Sequence, residues 1–160
     1  MYNRILQVAD DSFFLFGARG TGKTSWVKNT FPHAYFFDLL HDDTYVELLA
    51  RPSRLEERIP DNFSDWIVID EIQKVPALLN EVHRLIESKK LKFILTGSSA
   101  RSLRRKGVNL LAGRALTCHL YPLTALELGK DFNLNHILLY GELPTAISHN
   151  EPQKDRKSVV

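Results

Sequence analysis

The sequence contains a single cysteine, Cys118, among its 160 residues. One cysteine cannot form an internal disulfide, which excludes the disulfide-rich secreted class and favours a reducing compartment. No apolar run approaches the roughly 18 residues that a membrane-spanning helix needs. The first eleven residues also lack the long apolar core of a signal peptide. We therefore expect a cytoplasmic protein without a membrane partner, in which Cys118 is a small buried residue.

Motifs of metal and nucleic-acid modules are missing as well. The six histidines are scattered, and neither a zinc-ligand spacing nor a helix-turn-helix pattern is present. The chain has no internal repeat and no low-complexity tract. Hydrophobic residues make up 44%, charged residues 25%, and the net charge is +2. This balance is typical of one globular domain, in which any basic surface is local.

Acidic residues are absent between Glu87 and Glu127, a window that holds eight lysines and arginines. Three interpretations of these cations stay open. They could form a weak nucleic-acid or protein contact surface, supply an arginine to a bound phosphate, or face solvent. No aromatic residue lies between Arg101 and Arg114, so this stretch offers no platform for base stacking.

Short apolar runs alternate with helical patterns along the chain, which predicts an α/β fold with a parallel sheet covered on both faces. The predicted strands are 12–16, 34–40, 66–70, 92–97 and 115–123. The predicted helices are 23–31, 42–59 with a break at Pro52 and a capping box from Ser53, 76–88, a short helix after 97, another near 124–129, and 133–140. Residues 149–160 are polar and patternless, so we interpret them as a frayed tail or linker.

The stretch GARGTGKT at 17–24 matches the phosphate-binding loop (Walker A) pattern G-x-x-x-x-G-K-[ST]. Glycines let the backbone curl so that N–H groups point at phosphate oxygens, and the following helix adds its positive dipole end. A chance match in a glycine-bearing turn is disfavoured, because the motif follows a strand and opens a helix. The predicted phosphate contacts are Gly17, Ala18, Arg19, Gly20, Thr21, Gly22, Lys23, Thr24 and Ser25.

An acidic pair, Asp70 and Glu71, ends the apolar run WIVID. Asp70 is predicted to hold Mg²⁺ together with the Thr24 hydroxyl, while Lys23 reaches the β- and γ-phosphates. Glu71 projects the other way and is predicted to activate the attacking water as a general base. The alternative is that both acids merely end a strand at the solvent edge. The next residues, Gln73 and Lys74, could contact the nucleotide or a neighbouring subunit, or form a solvated turn.

Three stretches together resemble predicted ATPases of the AAA+ superfamily in bacteria and archaea, whose P-loop core precedes a C-terminal domain of unknown function. They are LFGARGTGKT, WIVIDEIQKVPALLNEVHRLI and FILTGSSARSLRRKGVNLLAGRALTCHLYPLTALEL. The resemblance covers about residues 2–147 and implies a three-layer P-loop NTPase fold with sheet order 5-1-4-3-2. Relative to that family we expect a truncated chain, with a core at 1–132 and the beginning of a C-terminal region or a disordered tail at 133–160.

The resemblance also implies a polar sensor residue at the end of the fourth strand, where Thr96 and Ser98 lie. The other interpretation of this stretch is that Ser98 or Ser99 caps the following helix. Arg101 and Arg114 are candidates for an arginine that reaches the γ-phosphate from the same chain or from a neighbouring subunit of a homo-oligomer. The predicted function is Mg²⁺-dependent ATP binding with slow hydrolysis to ADP. The alternative is an ATP-gated switch acting on a protein or DNA partner.

Overall fold

Short strands alternate with helices in the folded chain, as the sequence pattern predicts. The structure, a computed structural model, describes residues 2–8, 10–104 and 111–148. The strands are β1 (Phe13–Phe16), β2 (Tyr35–Asp38), β3 (Trp66–Asp70), β4 (Lys92–Gly97) and β5 (Leu116–His119). The α-helices are α1 (Lys23–Thr30), α2 (Asp42–Ala50), α3 (Arg54–Arg58), α4 (Leu78–Lys89), α5 (Ala100–Arg104), α6 (Ala125–Leu128), α7 (Leu134–Tyr140) and α8 (Pro144–Ser148). Short 3-10 helices cover Ile72–Lys74, Leu111–Gly113 and Gly129–Asp131.

Within the described residues the five strands form one parallel sheet in the order β2-β3-β4-β1-β5. This order is the predicted 5-1-4-3-2 read from the other edge, so the three-layer P-loop NTPase fold is confirmed. The register aligns the carboxyl ends of the strands, with Phe16 opposite Gly97 and His119, and Asp38 opposite Asp70. Side chains that follow different strands are thereby brought to one edge of the sheet.

Two apolar layers cover the sheet because successive strand residues point to opposite faces. Phe13 and Leu15 pack with Trp26 and Val27 of α1 on one face. The larger cluster on the other face joins alternate strand residues to the helices α2, α3, α4 and α5. Nearly all strand residues of β1, β3 and β4 are buried, which explains their continuous apolar runs. Cys118 is half-buried against the α1 layer, and burial raises the pKa of its thiol.

The predicted capping box at Ser53 is wrong. Ser53 has helical dihedral angles and makes no side-chain cap bond, and Glu56 instead contacts Arg84 at 2.6 Å and Lys89 at 2.7 Å. The Glu56 carboxylate therefore forms ion pairs with two cations of the neighbouring α4, and does not accept from the backbone amide that the capping-box pattern predicts. A complete capping box occurs at Thr124 and is described below. The predicted tail, 149–160, lies outside the described residues.

The core predicts a large difference between two leucines in helices. Leu85 of α4 is fully buried, whereas Leu126 of α6 is 82% exposed. Leu85→Ala is expected to lower the free energy of unfolding by about 2–5 kcal/mol, because it leaves a cavity under the sheet. Leu126→Ala is expected to change it by less than about 0.5 kcal/mol. Urea unfolding of both variants measures the difference, and equal losses would contradict this packing.

Candidate nucleotide-binding site

The loop between β1 and α1 begins with a glycine that accepts no side chain. A Cβ on Gly17 would lie 2.3 Å from the Leu120 carbonyl oxygen, well inside contact distance. The Gly17 N–H donates to the Gly97 carbonyl at 3.3 Å, and the Leu120 N–H donates to the Phe16 carbonyl at 2.7 Å. The loop thus leaves the sheet between the ends of β4 and β5, at the carboxyl edge of the sheet.

The same loop reaches α1 through backbone angles that favour glycine. Gly20 has φ 85° and Gly22 has φ 87°, both in the left-handed region. Thr21 is fully buried, and its hydroxyl donates to the Ala18 carbonyl at 2.9 Å, which closes the turn. Gly22 has no side chain to cap the first turn of α1. The first backbone N–H groups of α1 therefore have no side-chain cap. An anion bound here can accept hydrogen bonds from them and is also stabilised by the helix dipole.

Lys23 lies across the mouth of this loop. Its ammonium donates to the Gly17 carbonyl at 2.8 Å and to the Ala18 carbonyl at 3.1 Å, and the residue is only 6% exposed. Burial lowers the pKa of Lys23, although the negative charges of Glu71 and Asp70 oppose that shift. The buried ammonium has lost most of its hydration. Phosphate oxygens bound beside the helix N–H groups can replace that hydration with charge-assisted hydrogen bonds.

Asp70 joins the phosphate loop to the strand beside it. Its carboxylate accepts from the Thr24 hydroxyl at 2.8 Å and from the Thr96 hydroxyl, and the residue is 4% exposed. The two side chains predicted to hold Mg²⁺, Thr24 and Asp70, are therefore in contact. One carboxylate and one hydroxyl beside a phosphate site fit the limited protein ligation that Mg²⁺ prefers. Among the described residues no cluster of three or more His, Cys, Asp or Glu side chains offers another metal site.

Glu71 has an unusual backbone conformation for a glutamate, with φ 60° and ψ 47°. Its N–H donates to the Thr96 hydroxyl at 3.1 Å, and its carboxylate accepts from the Gln73 side-chain amide. Left-handed non-glycine residues are uncommon and cluster at functional sites. Gln73 thus has an intrachain contact, as does Lys74, whose ammonium lies 4.4 Å from the centre of the Tyr45 ring.

The two predicted sensor residues have different surroundings. Thr96 is fully buried and bridges Asp70 and the Glu71 backbone, whereas Ser98 is exposed. The Ser99 hydroxyl accepts from the Arg101 N–H at 3.2 Å, so Ser99 provides the predicted helix cap. Thr96 is therefore the sensor candidate that lies inside the hydrogen-bond network, and its contact with a γ-phosphate stays a prediction.

The two candidate arginines lie at opposite edges of the sheet. Arg101 is exposed in the first turn of α5, just after the carboxyl end of β4. Arg114 precedes β5, and its guanidinium donates to Glu87 near the end of α4, where this contact lowers the pKa of Glu87. Arg114 therefore lies away from the nucleotide edge of its own chain, because the four-residue β5 strand, roughly 10 Å long, separates it from that edge.

The sequence did not predict that the N-terminal segment and α8 lie beside the phosphate loop. A cavity of about 530 Å³ lies beside Thr21 and Gly22, between the N-terminal segment 2–4, one face of α1 and Pro144 of α8. Arg4 lines this cavity and donates to the Thr21 carbonyl at 2.9 Å. The spacing Thr124-x-x-Glu127 was a visible capping-box signal, but no local pattern connects it with Arg4.

Comparison with known proteins agrees with this geometry. The AAA domain family matches residues 10–129. The structure of the Aeropyrum pernix ORC1 protein in complex with DNA aligns with 16% identity and a TM-score of 0.54, over 89% of this chain and 50% of that one. The structure of Drosophila ORC bound to DNA aligns with 18% identity and a TM-score of 0.46, over 80% and 43%. The chain therefore spans about half the length of the ORC1 chain. Curated proteins give no match.

The family match and the structural likeness show different properties of this chain. At such low identity the ORC1 likeness shows the fold alone. Among the described residues no helix is long and apolar enough to cross a membrane. The family match, in contrast, covers well over half of the chain and includes the phosphate loop, the acidic pair and the sensor strand. The chain therefore belongs to the AAA domain family, and its fold is the P-loop NTPase fold.

Proposed function

We propose that this protein binds ATP together with Mg²⁺ and hydrolyses it slowly to ADP and phosphate. The observation that carries the proposal is the network in which Thr24 and Thr96 both donate to Asp70, whose negative charge acts on the buried ammonium of Lys23 in the phosphate loop. A cation for phosphates, an oxygen pair for a divalent metal and a polar residue at the next strand are thereby placed at one edge of the sheet.

The backbone from Gly17 to Ser25 binds the phosphates in this proposal. N–H groups of the glycine turns and of the first turn of α1 donate to the phosphate oxygens, and Lys23 leaves its loop carbonyls to contact the β- and γ-phosphates. Thr24 and Asp70 hold Mg²⁺, which when bound neutralises charge on the β- and γ-oxygens. The Thr24 hydroxyl would keep donating to Asp70 and offer an oxygen lone pair to the metal.

Glu71 is proposed as the general base that orients and deprotonates the attacking water. Its left-handed backbone and its N–H bond to Thr96 fix the residue that follows the metal-binding Asp70. Thr96 positions both acids through one hydroxyl, so a change at the γ-phosphate can reach Asp70 and Glu71 together. Ser98, exposed beyond the strand end, is retained as the second sensor candidate.

The cavity beside the loop is proposed to hold the adenine base. It opens next to Thr21 and Gly22, so a base attached to phosphates on the loop can enter it. Trp26 and Pro144 offer apolar surface, and the side chains of Asn3 and Ser25 offer polar groups to the base edge.

Arginine contributions are proposed to depend on the subunit that provides them. Arg101 lies close enough to the carboxyl edge of the sheet to serve its own chain. Arg114 lies at the far edge and can contact only the nucleotide of a neighbouring subunit, after releasing Glu87. A nucleic-acid role for the basic segment stays a prediction, since residues 105–110 lie outside the described residues.

A second candidate function is an ATP-gated switch with little turnover. The observation in its favour is that the Glu71 carboxylate is engaged by Gln73. As long as this contact persists, the base is held by an amide and not by water. Binding of ATP would then change a protein or DNA contact, with hydrolysis incidental.

Calorimetric titration with nucleotides tests the binding proposal. We expect ATP and ADP to bind with Mg²⁺, and AMP to bind at least about 10-fold more weakly, because it lacks the phosphates that Lys23 contacts. Phosphate release above the buffer background then separates the ATPase from the switch. Equal affinity for AMP and ATP would contradict the proposed site.

A further inference from the structure

Arg4 makes three hydrogen bonds that connect distant parts of the chain. Its Nε donates to Glu127 at 2.9 Å, one terminal nitrogen donates to the Thr21 carbonyl at 2.9 Å, and the other donates to the Tyr121 carbonyl. The Arg4 side chain is 7% exposed and that of Glu127 is 3% exposed. A guanidinium is thus enclosed between the phosphate loop, the segment after β5 and α6.

Glu127 is held as firmly as its partner. Its carboxylate accepts from the Ile5 N–H at 3.0 Å and from the Thr124 N–H at 2.9 Å, and the Thr124 hydroxyl caps α6 in return. Burial by itself raises the pKa of Glu127, but the bonds from Thr124, Ile5 and Arg4 outweigh it and keep the pKa below its ordinary value. The carboxylate is therefore a fixed anchor for the Arg4 guanidinium.

The contact with Thr21 controls a peptide that the phosphate site depends on. In a trans peptide the carbonyl and the following N–H point in opposite directions. Arg4 holds the Thr21 carbonyl on the side of the N-terminal segment, so the N–H of Gly22 points away from that segment. Gly22 has φ 87°, and glycine tolerates both signs of φ, which makes this peptide plane easy to flip.

We propose that Arg4 is a positioning residue that prevents this flip and holds the Gly22 N–H in the orientation that binds phosphate. The assignment rests on the proposed nucleotide function. Stability alone is a weak reason for such a pair, because burying two charges costs much of what their attraction returns. The planar fork of arginine, however, serves three acceptors in fixed directions, which lysine cannot do.

Arg4→Lys tests the proposal, because lysine still pairs with Glu127 but cannot serve all three acceptors. We expect the Kd for ATP to rise by about 10- to 100-fold. In the nucleotide-free variant we expect the Gly22 amide to show conformational exchange between two peptide orientations, seen as line broadening in NMR relaxation dispersion that the unaltered protein lacks. Arg58→Lys is the control, since Arg58 pairs with Glu47 away from the loop and is expected to change neither quantity.

The outcomes separate three explanations. An unchanged Kd and unchanged Gly22 exchange in folded Arg4→Lys would overturn the proposal. A weakened Kd with unchanged Gly22 exchange would also overturn it, because Arg4 would then act by touching the nucleotide in the adjoining cavity. If the unaltered protein binds no ATP, the proposed function fails. Gly22 exchange, which needs no nucleotide, still decides whether Arg4 holds the loop.

Discussion

Lys23→Met is expected to weaken ATP binding by about 100-fold or more while leaving the protein folded. The ammonium is the one cation that contacts the loop carbonyls of Gly17 and Ala18 in the described structure, and a charge-assisted bond to each of two phosphates is lost with it. Burial lowers the pKa of Lys23, so at pH values below that pKa the folded state pays a free-energy cost for holding the charged ammonium. Methionine removes this cost but also loses the bonds to the two loop carbonyls. We therefore expect the free energy of unfolding without nucleotide to change by less than about 1 kcal/mol.

Lys28→Met provides the matched control for this experiment. Lys28 lies on the same helix but is exposed in its last turn, above the Phe36 ring. We expect calorimetry to give the unaltered affinity for this variant. ATP binding by Lys23→Met at the affinity of the unaltered protein would remove the phosphate loop from the proposed site.

Glu71→Gln is expected to reduce ATP turnover by about 100- to 1,000-fold, which is the usual contribution of a positioned general base. Glutamine keeps the size of the side chain and its backbone bond to Thr96, but it cannot accept the proton of the attacking water. The affinity for ATP is expected to stay within about threefold, since Glu71 has no proposed role in holding phosphates. Phosphate release and calorimetry on the same preparation separate the two effects.

Glu57→Gln is the control for turnover, because Glu57 is exposed on α3, away from the nucleotide edge. Hydrolysis by Glu71→Gln at the unaltered rate would show that another group activates water. If the unaltered protein binds ATP but releases phosphate only at the background rate, the switch becomes the better description. The contact between Gln73 and Glu71 then gains importance as the feature that keeps the base occupied.

The position of Arg114 has a consequence for assembly. Within one chain its guanidinium pairs with Glu87 at the amino edge of the sheet, while the phosphate loop lies at the carboxyl edge. An active role for Arg114 therefore depends on a homo-oligomer that brings this edge to a neighbour's nucleotide. Arg101, at the carboxyl edge, carries no such requirement.

The sequence predicted the elements that depend on neighbouring residues. The strands β3 and β4 begin and end where the apolar runs do, and α7 begins one residue after its predicted start, with Asn133 as its N-cap. The phosphate loop was also predictable from the sequence, because its left-handed backbone angles at Gly20 and Gly22 favour glycine, and glycine can be read directly from the sequence. Local sequence patterns fail where a side chain can bind either a local backbone group or a residue from a distant part of the chain. Glu56 matched a capping box but binds Arg84 and Lys89 from another helix.

By itself, then, the sequence determined the order of strands and helices, the phosphate loop and the acidic pair, since backbone preferences and side-chain periodicity act over a few residues. Only the tertiary structure decided which candidates meet. It brought Thr96 onto Asp70, moved Arg114 away to Glu87, and joined Arg4 to Glu127 across 123 residues. Such contacts depend on the path of the whole chain and on which charges are buried together, and neither is encoded in the spacing of a motif.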